Sequence, residues 1–111
     1  MKALLIILVM VCSYAVKGQE ASSADLIAEK IANRMRDSLD LSGSIRDSIV
    51  TINKQINSAK KEKMVAGGVY DEIRKQIQQI ENRRDSLYQA ILPADKFLLY
   101  KQKKSMLIRN D

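Results

Sequence analysis

The chain has 111 residues, no histidine, one cysteine and a formal net charge of +6. This length fits one domain at most, and the lack of histidine excludes the usual pairing of a nucleophile with an imidazole base. Aromatic residues make up only 5 % of the sequence, and glycine and proline are few, so the composition favours helices over strands. We therefore predict an all-α protein that is not an enzyme and needs no cofactor.

Residues 1–18 are predicted to be a signal peptide and not part of the fold. Lys2 gives a positive start, residues 3–16 form an apolar run, and polar residues follow. This order is typical of a secretory signal, and a run of about 14 residues is shorter than the roughly 20 that span a bilayer. We expect cleavage after Gly18, with cleavage after Ala15 or an uncleaved anchor as alternatives. Residues 19–111 would then form one exported helical domain.

Cys12 raises a further alternative, a lipid anchor. A lipoprotein signal has a small residue directly before its cysteine, whereas this chain has Val11, so we disfavour that anchor. Once Cys12 leaves with the signal, disulfides and cysteine or histidine metal sites are excluded. Loss of Lys2 and Lys17 leaves 17 basic and 13 acidic residues, a net charge of +4. This charge suits acidic or unfolded partners or an anionic membrane surface, and export argues against nucleic acid.

The first of four predicted helices begins at Ser22. Asp25, three residues later, resembles the second member of a capping box. Apolar residues then recur every fourth position to about Leu39, which is the pattern of an amphipathic helix. A polar break follows, and either Ser42 or Ser44 is expected to cap the second helix.

The second and third helices are predicted to form a long antiparallel hairpin. The second ends near Val65, before the double glycine Gly67-Gly68, which is a strong break. Apolar residues in both helices alternate in steps of three and four, as in coiled coils. Folding the chain back at the glycines predicts seam pairs whose residue numbers sum to 136, namely Ile45–Ile91, Ile49–Leu87, Ile52–Arg84, Ile56–Ile80 and Ala59–Ile77.

Pro93 is predicted to begin a shorter fourth helix, since proline cannot continue the third. Basic residues crowd the end of this helix, where the helix dipole favours positive charge. Its charges do not lie on one face opposite the apolar residues, so binding to a membrane surface is disfavoured. A helical protein this small buries only about 60–65 % of its unfolded surface, and we expect a homodimer to cover the remaining apolar area.

Two segments resemble a known motif: Leu41-Ser42-Gly43-Ser44-Ile45 and Leu92-Pro93-Ala94-Asp95-Lys96. Both are similar to the Leu-Thr-x-x-Gln motif that occurs twice in the Spy/CpxP family of small periplasmic helical proteins. Ser42 keeps the capping hydroxyl, whereas Ile45 and Lys96 replace the two glutamines and Pro93 replaces the second threonine. The motif starts a helix through a cap and an apolar staple, and both segments retain that role.

The resemblance implies a curved dimer of long antiparallel helices whose concave face, basic and apolar, holds unfolded clients without ATP. Some relatives sense or bind metals through histidine or cysteine, which the mature chain lacks. We therefore expect an ATP-independent holdase-type chaperone or envelope-stress accessory that binds unfolded or partly folded envelope proteins. The alternative is a non-enzymatic adaptor that docks on one envelope partner.

The candidate client-binding residues lie on the predicted hairpin. Positive charge favours loosely held encounters, and flexible methionine side chains add apolar contact. Arg84 has a second interpretation, which we favour: its stem lies along the seam with its head in water, or it pairs with Glu81 one turn back. The predicted set is Lys60, Lys61, Lys63, Met64, Arg83 and Arg84.

Overall fold

The computed structural model describes residues 23–109, and the predicted signal peptide and its cleavage sites lie outside this range. Four helices follow one another, and residues 23–109 contain no strand. The all-α prediction and the order of four helices are therefore confirmed. The helices are α1 (Ser23–Leu39), α2 (Gly43–Ala66), α3 (Tyr70–Ile91) and α4 (Ala94–Leu107).

The connection between α1 and α2 ends one helix and starts the next within three residues. Asp40 adopts a left-handed conformation with φ of 56°, and the Leu41 amide donates to the Arg36 carbonyl at 3.0 Å, which together form a Schellman-type end. The Ser42 hydroxyl then accepts a hydrogen bond from the Ile45 amide at 3.2 Å. Ser42, one of the two predicted caps, is therefore the N-cap of α2.

The turn between α2 and α3 depends on its two glycines. Gly67 has φ of 73° with ψ of −169°, and Gly68 has φ of 127°. Side chains other than glycine rarely adopt these angles. The predicted break at the double glycine therefore reverses the chain into the hairpin of α2 and α3.

The four helices form an elongated bundle. Helix α2 packs against both α1 and α3, and α4 contacts α1 and α3. The principal axes measure 56 × 40 × 24 Å, and the radius of gyration of 17.6 Å exceeds the roughly 13 Å of a compact domain of 100 residues. The apolar core consists of Ile31, Ala32, Met35, Leu39, Leu41, Ile49, Val50, Ile52, Ile56, Ile80, Tyr88, Leu92, Tyr100 and Leu107.

The hairpin contains polar contacts that the apolar seam did not predict. Asn53 bonds Tyr88 and Lys60 bonds Glu81, each pair linking α2 to α3. Tyr88 is fully buried, whereas the predicted seam residue Leu87 is only partly buried. The prediction weighed apolarity alone, and a buried tyrosine–asparagine pair carries no apolar signal.

Candidate functional site

The hairpin tip, defined as residues 61–72, is exposed along its whole length. It joins the last turns of α2 to the first turn of α3 through the glycine turn. Met64, Val65, Val69 and Tyr70 lie here with exposures of 64 %, 77 %, 68 % and 67 %. Large apolar side chains exposed together on a small domain are typical of a surface that contacts another molecule.

Charged side chains surround this apolar surface. Lys61 and Lys63 are exposed, and neither forms an ion pair with another residue of the described range 23–109. On the other helix, the Arg74 guanidinium lies over the Tyr70 ring at 5.8 Å from its centroid, within the range of a cation–π contact. The hairpin tip thus combines apolar contact area with lysines that are available to a partner and with the exposed carboxylates of Glu62, Asp71 and Glu72.

A groove runs between the start of α1 and the end of α2, beside the hairpin tip. Its volume is about 390 Å³, within the range of ligand and side-chain pockets. The Asn57 amide donates to the Ala24 carbonyl at 3.1 Å and so fixes the two helices to each other there. We call this feature the α1–α2 groove; it is lined by Ala24, Ile27, Asn57, Lys60, Lys61, Met64 and Val65.

The structure places four of the six predicted client-binding residues near one another. Lys61, Lys63 and Met64 lie on the exposed hairpin tip. Lys60 precedes them and is partly buried, with its Nζ 2.5 Å from Glu81 Oε2. Arg83 is also exposed, but it lies on α3 three turns beyond the hairpin tip.

Arg84 lies in the interior and is only 2 % exposed. Its Nε is 3.3 Å from Glu81 Oε1 and its Nη2 is 3.5 Å from Glu81 Oε2, while its Nε and Nη1 have no hydrogen-bond partner within residues 23–109. The pairing with Glu81 is therefore confirmed, whereas a head group in water is not. Because the helices cover it, Arg84 has no surface to offer a client in this structure.

Polar contacts that the sequence did not predict hold α4 in place. The Asp85 carboxylate accepts hydrogen bonds from the Tyr100 hydroxyl at 2.7 Å and from the Lys104 ammonium at 2.9 Å. Lys101 adds a third donor at 3.3 Å. Burial raises the pKa of the Asp85 carboxyl, but these donors outweigh burial and hold the pKa below its usual value. Asp85 is therefore a structural group that fastens α4 to α3.

No family model, curated protein or solved structure matches this chain. The resemblance to the Spy/CpxP family stays a prediction. Within residues 23–109, no helix is long and apolar enough to cross a membrane, and no three acidic, cysteine or histidine side chains are grouped as metal ligands are.

The exposed apolar residues of the hairpin tip were missed by the sequence analysis, apart from Met64. Val65, Val69 and Tyr70 directly flank the double glycine. Tight turns are usually polar, so bulky apolar residues on both sides of one are a signal that the sequence does contain. The heptad pattern instead assigns Tyr70 to the seam, because it extends the spacing of three and four to the very start of α3.

Proposed function

We propose that the protein binds unfolded or partly folded envelope proteins through its hairpin tip, without ATP and without catalysis. The observation that carries this proposal is the exposure of Met64, Val65, Val69 and Tyr70, each more than 60 % accessible. Keeping such side chains in water forfeits the free energy that their burial against a partner releases. A client with exposed apolar segments supplies that partner.

The limited apolar area of the hairpin tip supports loose and reversible binding. Lys61 and Lys63 extend from the same turns as Met64, and Glu62, Asp71 and Glu72 lie on the same tip, so an approaching chain meets charges of both signs around the apolar area. Such a surface has no strong preference for the net charge of a client, and the limited apolar area keeps affinity modest. Weak contact with many chains is the behaviour that a holdase requires.

The test is light scattering of two unrelated aggregating proteins with the purified protein and no ATP. We expect dose-dependent suppression of both at near-stoichiometric ratios. The variant Val65→Ser/Val69→Ser removes apolar area from the hairpin tip and should lose most of this suppression. The control variant Leu98→Ser/Met106→Ser removes apolar side chains of similar exposure, 63 % and 59 %, from α4, and should keep it.

Three results would contradict the proposal. Suppression of neither client would exclude a general holdase, and binding of one envelope protein without suppression would favour the single-partner adaptor. Equal loss in both serine variants would show that apolar exposure acts generally and not through the hairpin tip.

Export is tested separately by intact-mass spectrometry of the protein recovered from the periplasm of an expressing bacterium. The proposed processing gives a chain that begins at Gln19. A mass that retains residues 1–18 would contradict cleavage, and a lipid-modified mass would identify the Cys12 anchor.

A further inference from the structure

The α1–α2 groove is lined by basic but not by acidic side chains, unlike a second groove beside it. Its lining includes two lysines and no carboxylate. A neighbouring groove shares Lys61 and Val65 with it but also includes Glu62. The charged side chains that line the first groove are therefore all basic, whereas those that line the second are of both signs.

The two lysines of the α1–α2 groove differ in their roles. Lys60 is bound to Glu81 across the hairpin, so much of its charge is already compensated. Lys61 is exposed and forms no ion pair within residues 23–109. A carboxylate placed beside Lys61 gains an ion pair and breaks none. The groove therefore favours a ligand with an acidic group at this position.

Much of the lining of the groove is apolar. Ala24 and Ile27 belong to one helix, and the exposed Met64 and Val65 belong to the other. Its volume of about 390 Å³ suits a few apolar side chains and is too small for a folded domain. Methionine adapts its shape to different side chains, so this lining accepts more than one apolar sequence.

We propose that the α1–α2 groove binds a short peptide segment with an apolar core and flanking acidic residues. The apolar side chains enter the groove between Ile27 and Met64, and a carboxylate pairs with Lys61. This inference rests on the proposed binding function and deepens it, because it names the class of client segment and the place where that segment binds.

The experiment measures fluorescence anisotropy with two synthetic labelled peptides that share one apolar core. One peptide has aspartate flanks and the other has lysine flanks. We expect the aspartate-flanked peptide to bind about tenfold more tightly, with a difference that shrinks as salt screens the charges. Equal affinities would overturn the inference.

Two variants locate the binding. Lys61→Glu should abolish the preference for aspartate flanks, while the control Lys30→Glu, which reverses another exposed lysine without an ion pair in residues 23–109, should leave it unchanged. Ala24→Trp fills the groove from an exposed position and should weaken both peptides by about fivefold or more. Unchanged binding in Ala24→Trp would overturn the groove as the site.

The aggregation assay separates this inference from the proposed function. If Ala24→Trp loses peptide binding but still suppresses aggregation, clients bind elsewhere on the hairpin tip and the groove inference fails alone. If the unmodified protein binds the aspartate-flanked peptide but suppresses no aggregation, the groove inference stands and the holdase proposal fails.

Discussion

Replacing Tyr88 by phenylalanine tests whether one buried hydrogen-bond relay holds three helices together. The Tyr88 hydroxyl donates to Asn53 Oδ1, and Asn53 Nδ2 donates to the Ala28 carbonyl at 2.9 Å. The relay thus links α3 through α2 to α1. Phenylalanine keeps the ring and its edge-to-face contact with Tyr100, whose centroid lies 5.0 Å away, so the substitution removes the hydroxyl alone.

The expected magnitude follows from burial. Asn53 is 1 % exposed and Tyr88 is 0 % exposed, so water cannot replace a lost partner. Tyr88→Phe leaves the Asn53 carbonyl oxygen without its donor, and Asn53→Leu removes the acceptor of the Tyr88 hydroxyl. Each should lower the free energy of unfolding by about 1–3 kcal/mol, whereas replacing both polar partners by apolar groups of similar shape costs much less than the two changes added together.

The assay is urea unfolding of the four proteins, followed by circular dichroism at 222 nm. A loss of about 2 kcal/mol moves the midpoint by about 1 M urea at the slopes usual for small domains. The double variant should reveal a coupling energy of about 1–3 kcal/mol between the two positions. Additive losses, or a Tyr88→Phe variant as stable as the parent, would refute the relay as a stabilising contact.

Three further changes test the fold. Asp85→Asn should destabilise at pH 7, and the difference from the parent should shrink as the pH falls below about 4. The lowered pKa of Asp85 means that its stabilisation is complete above about pH 4 and is lost as the pH falls through the folded-state pKa. A pH-independent difference in urea midpoints would contradict this. Ser42→Ala removes the cap of α2 and should cost about 1 kcal/mol in the same titration, with Ser42→Thr as the conservative control. Gly67→Ala should cost about 1–3 kcal/mol because Gly67 has a positive φ. The control Gly43→Ala adds a methyl group that meets nothing within 4 Å and should cost nothing. Equal melting temperatures of the two variants would contradict the strained turn.

The helix boundaries were predictable because short-range chemistry determines them. The double glycine, the serine before α2 and Pro93 each act on the chain within a few residues, and the structure turns or starts a helix at each. Burial of Ile49, Ile52, Ile56 and Ile80 also followed from the spacing of apolar residues. These signals need no knowledge of which helices meet.

The polar interior was not predictable in the same way. Asn53 is buried because both ends of its amide find partners in the interior. Tyr88, 35 residues away, donates to its oxygen, and the Ala28 carbonyl on a third helix accepts from its nitrogen. Arg84 is buried in the same way, since the partly buried carboxylate of Glu81, one turn back, pairs with it. Asp85 looks like one more surface acid in the sequence, and its role depends on where Tyr100 and Lys104 arrive. Each of these placements is decided by partners from other turns or helices.

The contact between Arg34 and the end of α4 bears on the order of folding. The Arg34 guanidinium donates to the Leu107 carbonyl at 2.9 Å, across 73 residues of sequence, whereas α1, α2 and α3 each pack against the next helix along the chain. Loop closure over so long a separation follows more easily once the nearer pairs have formed. We expect α4 to dock last and to open first as a unit smaller than the whole protein, so its amides should exchange hydrogen for deuterium before those in the middle of α2.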